Sequence, residues 1–162
     1  EVLAAARQYF RLPEDTRRLR IEIADGADWV AKTRARYDLI LVDAYDADGH
    51  NGPLDTPAFY LNCKARLSDR GLLVANLLSR RKEFAASVER IQKAFDGRAL
   101  AFPSCDSGNA IAIAAAGEPV QARLGELKQT ATALRRDTGL NLAPTISRLE
   151  RSGICIGGEL KM

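Results

Sequence analysis

Two short apolar runs, Leu39 to Val42 and Leu72 to Leu78, constrain the fold of this chain more than any other feature. Neither alternates apolar with polar side chains. Strands of that kind are covered on both faces, as in the parallel sheets of α/β proteins. Between and after them lie stretches of helical period. Phe59, Cys63 and Leu67 recur every fourth residue, and Phe84, Val88, Ile91 and Phe95 line a further helix. Strand and helix thus alternate as far as Phe95, which predicts an α/β fold built on a parallel sheet.

The rest of the chain fills in around this frame. Val2, Leu3, Ala6 and Phe10 predict an amphipathic helix over residues 1–11. Leu19, Ile21 and Ile23 alternate with Arg20 and Glu22, the pattern of a short strand that Asp25-Gly26 ends. Residues 27–36 read as a helix with Trp29 and Val30 inward. Thr56-Pro57 reads as an N-cap and a first-turn proline, opening a helix that runs to about Arg70-Gly71. Residues 99–102 and 110–114 read as a hairpin around Pro103 to Asn109. From Gly117 the character changes. Val120, Leu124, Leu127, Ala131 and Leu134 trace a helix that Gly139 terminates, and a shorter helix follows around Thr145 to Arg151. Residues 1–116 are therefore expected to form the α/β domain and residues 117–162 a helical C-terminal extension.

A length of 162 residues with 46% apolar side chains supports one substantial core. The net charge of +3 is only mildly basic. Small clusters such as Arg80/Arg81/Lys82 lack interleaved aromatics, so they read as solvated faces and no nucleic-acid partner is expected. No apolar run reaches the roughly 20 residues that span a bilayer, so no membrane role is expected. Cys63, Cys105 and Cys155 are odd in number and lack zinc spacing, which fits a reducing, cytoplasmic setting. With His50 as the sole histidine, a multi-histidine metal site is excluded, and no metal is expected.

The strand at Leu39 to Val42 runs directly into Asp43, Asp46 and Asp48. Ligands of open α/β sheets bind just beyond the carboxyl ends of the strands. Acids in that place suit a cationic ligand or a proton transfer. Asp43 also fits a turn-capping role, and Asp25 a helix N-cap. Asp48 and His50 read as solvated loop residues.

Four pieces in order resemble the spermidine synthase (polyamine aminopropyltransferase) family. They are a strand ending in Asp25-Gly26, a strand ending in Asp43 with Asp46 after it, the loop Gly49 to Pro53 leading into Thr56-Pro57-Ala58-Phe59-Tyr60, and Leu67 to Asn76. The family fold implied is a class I methyltransferase-like, Rossmann-like sheet. The resemblance implies transfer of an aminopropyl group from decarboxylated S-adenosylmethionine, as co-substrate, to a diamine such as putrescine. It implies Asp43 as the acid that helps deprotonate the attacking amine and Asp46 as the amine anchor. Tyr45 would line the amine pocket. Asp25, with Gly26 beside it, would receive the adenine amino group. Asn76 stands where the family commonly has glutamine and would face the pocket. A homodimer is implied as well. Asp43 and Asp46 would share one field, and their repulsion would raise the pKa of at least one.

The chain departs from the family in several places. Ala44 and Tyr45 replace small hydroxyl residues, Ala47 replaces a proline, and no Gly-rich nucleoside loop occurs in residues 1–20. These changes resemble a divergent bacterial branch. In the family's strand order the first strand is central, so the sheet here is expected to lack its first strands. The strand at 19–24 would then be separated from that at 39–42. Each buried backbone group left unpaired by such a gap costs about 1–3 kcal/mol. The expectation is an N-terminally truncated chain, or one that closes the gap by rearrangement or by pairing with a second copy. Two other functions stay open: a methyltransferase of the same fold using S-adenosylmethionine, and a non-catalytic scaffold.

Overall fold

The computed structural model describes residues 1–46, 48–103 and 108–162. Ala47, Cys105 and most of the turn after Pro103 lie outside the described residues. The elements in chain order are α1 (Val2–Phe10), α2 (Gly26–Lys32), β1 (Tyr37–Val42), a 3₁₀ turn (Gly52–Asp55), α3 (Pro57–Arg66), β2 (Leu67–Leu78), α4 (Phe84–Ala94), β3 (Ala99–Ala101), β4 (Asn109–Ala115), β5 (Gln121–Arg123), α5 (Leu124–Thr138), α6 (Ala143–Arg151) and β6 (Glu159–Lys161).

The main sheet has the order β1-β2-β4-β3. Only β1 and β2 are parallel; β4 returns antiparallel between β2 and β3. On one face, Leu73, Ala75 and Leu77 of β2 meet Phe59, Tyr60 and Cys63 of α3 and Ile91 of α4. Phe59 is 5% and Cys63 0% exposed, as the helical period predicts, whereas Leu67, the third residue of that period, is buried from the start of β2. Burial pushes the Cys63 thiol up to about 12. Cys63 and Cys155 are both free thiols.

The two caps form as their residues dictate. The Thr56 hydroxyl accepts from the Phe59 N–H, with Pro57 in the first turn. Asp25 accepts from the Asp28 N–H at 2.9 Å and caps α2. Helix α3 stops at Arg66, four residues short of the expected end. Leu67 turns extended there, pairs with Tyr37 and is fully buried. Strand β2 then bulges between Leu67 and Leu72 before the regular register resumes.

Several expectations fail, each for a physical reason. Residues 19–24 form no strand. Among the described residues no strand pairs with them, and local bonds take their place: the Thr16 hydroxyl accepts from the Arg18 and Leu19 N–H groups, and Asp15 from that of Ile21. Trp29 is 42% exposed instead of core-facing and lines the groove beside β1. Helix α1 forms, yet none of its residues is buried. Strand β1 is covered on one face only: Val42 is buried, while Leu39 and Leu41 on the other face are exposed. Among the described residues β1 pairs with β2 alone. A groove of about 720 Å³ separates it from the segment around Arg20, Glu22 and Ala24.

The tail contains more than helices. Strands β5 and β6 pair antiparallel, and Val120 lies ahead of α5, bonded to Met162 through both backbone groups. Gly139 ends α5 as expected, at φ 79°. Leu149 of α6 and Leu160 of β6 form a second core with Leu100 of β3, so the tail docks on the β3 edge of the sheet.

Gly117 joins the sheet to this tail at a close backbone approach. A Cβ there would sit 1.8 Å from the Asp69 carbonyl oxygen. The contact is with backbone and cannot rotate away. Gly117→Ala should therefore destabilise the chain by about 1–3 kcal/mol. Urea unfolding should show a lower midpoint at unchanged slope; an unchanged midpoint would contradict the close approach.

Candidate active site

The parallel register builds the site. Val42 pairs with Ala75, so the next residues, Asp43 just past β1 and Asn76 two residues before the end of β2, come side by side. The Asn76 side-chain amide donates to Asp43 Oδ1 at 3.0 Å. The Tyr45 hydroxyl donates to the Asn76 carbonyl at 2.5 Å. Burial raises the pKa of Tyr45, and the nearby Asp43 carboxylate adds to this, so the phenol stays a donor at neutral pH. Three of the residues singled out in the sequence therefore form one bonded group. Asp43 is exposed and lines the mouth of the groove together with Ala44 and Gly26.

Asp46 stands apart from that group. Its Oδ1 accepts from the backbone N–H groups of His50, at 2.7 Å, and Asp48, at 2.9 Å. The bond from His50 is the main reason its carboxyl lies below the ordinary value. The upward shift expected of at least one of the two acids does not occur at Asp46, because loop amides stabilise its charged form. Asp48 and His50 are exposed, as expected. Asp46, Asp48 and His50 each bring an atom within 4.8 Å of the others, but Asp46 Oδ1 already serves the loop's own bonding.

Asp25 spends one oxygen on the α2 cap, in agreement with the helix-cap reading. Its neighbour Gly26 faces the groove, where a Cβ would come within 3.1 Å of Leu54.

Two loop residues were not singled out in the sequence. Asn51 donates its side-chain amide to the Ala44 carbonyl at 2.9 Å and closes the acidic loop on itself. Asp55 ends the 3₁₀ turn and fixes the loop to the helices. Its carboxylate accepts from Arg90 at 2.6 Å, Ser87 at 2.6 Å and Tyr60 at 2.9 Å. The spacing of Ser87 and Arg90 on one face of α4 was the only available signal, and it does not name the partner.

With this geometry, an acid held at the strand ends can accept a proton from a ligand lying in the groove. The volume is within the range of small-molecule sites.

The chain is 33% identical over 160 residues, 99% of its length, to the polyamine aminopropyltransferase of Chromobacterium violaceum, and spans 61% of that protein. It is 32% identical over 152 residues to the polyamine aminopropyltransferase of Neisseria meningitidis, spanning 58% of it. It therefore spans about three fifths of the length of these curated relatives. No family model matches. A crystal structure of spermidine synthase in complex with the transition state analogue AdoDATO superimposes with a TM-score of 0.61 at 29% identity, covering 72% of this chain and 43% of that one. Human methyltransferase-like protein 13, solved in complex with SAH, matches in fold with a TM-score of 0.71 at 23% identity, over 90% of this chain and 66% of its own. The fold is thus the methyltransferase-like α/β fold that spermidine synthases share, and along nearly its whole length the chain is similar, at about one-third identity, to polyamine aminopropyltransferases.

Proposed function

We propose that this chain carries the amine-activating part of an aminopropyltransferase. The reaction moves an aminopropyl group from decarboxylated S-adenosylmethionine to a diamine such as putrescine. The amine nitrogen attacks the carbon next to the sulfonium, a C–N bond forms, the C–S bond breaks, and the thioether nucleoside leaves. The nitrogen must shed a proton as it attacks. Asp43, exposed at the groove mouth and held at the strand ends, accepts it. That placement is the single observation on which the proposal stands.

The other acids follow. Asp46 turns one oxygen into the loop, and its second oxygen anchors the distal ammonium of the diamine. Asp25 uses its second oxygen to accept from the adenine amino group, with Gly26 allowing close approach. Tyr45 forms a wall of the amine site. Asp43, Asp46 and Asp48 together draw a polycation toward the loop. A homodimer and a cytoplasmic setting belong to the same reading, supported by the family resemblance. Among the described residues no helix is long and apolar enough to cross a membrane.

Calorimetry on the full-length protein tests the co-substrate. Decarboxylated S-adenosylmethionine should bind more tightly than S-adenosylmethionine. The reverse preference would turn the reading toward methyl transfer, and saturable binding of neither toward a scaffold.

A further inference from the structure

We infer that Asn76 is a positioning residue: from β2 its side-chain amide sets the direction of the Asp43 carboxylate, while its main-chain carbonyl holds Tyr45. The inference rests on the aminopropyl-transfer reading of Asp43 and deepens it. It also moves Asn76 from the substrate-contacting role that the resemblance implied to a role exercised through Asp43.

Four observations lead here. The strand register sets Asn76 beside Asp43 without any loop between them, so the pair is fixed by the sheet itself. The bond from Nδ2 to Asp43 Oδ1 is 3.0 Å long. A carboxylate only accepts, so the nitrogen of the amide must face it. The amide oxygen Oδ1 is buried and has no partner among the described residues, which leaves it no surface to offer a ligand. Last, the Tyr45 hydroxyl is tied to the same residue.

An exposed aspartate at a strand end would otherwise sample several rotamers. With Oδ1 committed to Asn76, Asp43 presents Oδ2 as its free acceptor. A general base must lie within hydrogen-bond reach of the proton it takes. A misplacement of about 1 Å is enough to cost on the order of 10²-fold in rate. Asn76 supplies that aim and makes no contact with the amine.

The test uses the full-length protein and three variants, Asn76→Ala, Asn76→Asp and Asn76→Gln. Asn76→Ala should lower kcat about 10- to 100-fold with the KM for putrescine within about twofold of wild type. Asn76→Asp should be worse, since it sets a second carboxylate against Asp43. Asn76→Gln keeps the donor and should recover part of the loss. A raised KM for putrescine at unchanged kcat would overturn the inference and make Asn76 a substrate contact. A second readout does not depend on turnover. In ¹⁵N-labelled protein, Asp43→Ala should shift the side-chain amide resonances of Asn76 while the bulk of the spectrum stays in place. Unmoved resonances would overturn the clamp whatever the kinetics. Shifted resonances in a protein that transfers no aminopropyl group would uphold the clamp and reject the transfer reading.

Discussion

Asp43→Asn should lower kcat for aminopropyl transfer by about 10²–10⁴-fold, the range that positioned general bases contribute. The substitution keeps size and shape but removes the proton acceptor. It also disturbs the bond from Asn76, because the new amide must turn its oxygen toward Asn76 Nδ2 to keep it. Its nitrogen would then face the incoming amine, a donor against a donor. The effect belongs in kcat: Asp25 and Gly26, not Asp43, are assigned to the nucleoside, so its affinity by calorimetry should be preserved. Steady-state kinetics of the full-length protein with putrescine, beside that binding measurement, separates the two. A variant as fast as wild type would remove Asp43 from the chemistry.

The second large effect is on stability. Asp55→Ala should cost about 3–4 kcal/mol. The Asp55 side chain is 12% exposed and accepts from Arg90, Ser87 and Tyr60 at once. Its removal leaves the Tyr60 hydroxyl, on a residue only 1% exposed, without its acceptor, takes the carboxylate from Arg90, and leaves the Ser87 hydroxyl with the Glu83 carbonyl alone. Breaking a buried pair by removing one partner costs about 3–5 kcal/mol when the remaining charge is enclosed. Arg90 keeps 28% of its side chain in solvent, which moderates the loss. For the same reason Arg90→Ala should cost less than Asp55→Ala, since Asp55 retains the Ser87 and Tyr60 hydroxyls. Equilibrium urea unfolding of the two variants measures both values. A loss below about 1 kcal/mol for Asp55→Ala would show that the network contributes little more than an exposed pair does. The consequence for function is local. Asp55 is the rear anchor of the loop that carries Asp43 and Asp46, so the variant should also loosen the amine site.

Much of this organisation was legible in the residues. The apolar runs named β1 and β2, and the four-residue recurrences named the buried faces of α3 and α4. Thr56-Pro57 marked a helix start to the residue. Local signals sufficed there because each element meets a partner that the same pattern supplies. The pattern over Leu19 to Ile23 is strand-like too, but a strand needs a neighbour, and among the described residues none pairs with it. Trp29 and the Leu39/Leu41 face fail in the same way: apolar character states a preference for burial and does not provide the cover. Strands β5 and β6 span three residues each, too few for a period to register.

The site divides along the same line. Asp43, Tyr45 and Asn76 could be picked from their order along the chain, and the register then explains why they meet. Asp46 was expected to interact with Asp43 through charge. The loop amides that govern it depend on a turn closed by Asn51 and His50, which residue identity alone does not reveal. The Asp55 network joins residues more than 30 positions apart, so no window of sequence displays it.

The central claim is the group that moves. The full-length protein is to be incubated with decarboxylated S-adenosylmethionine and putrescine, and the amine product weighed by mass spectrometry. Addition of one aminopropyl group, with one thioether nucleoside released per product, is the expected result. No transfer from the decarboxylated nucleoside, together with a methylated amine when S-adenosylmethionine replaces it, would contradict the account.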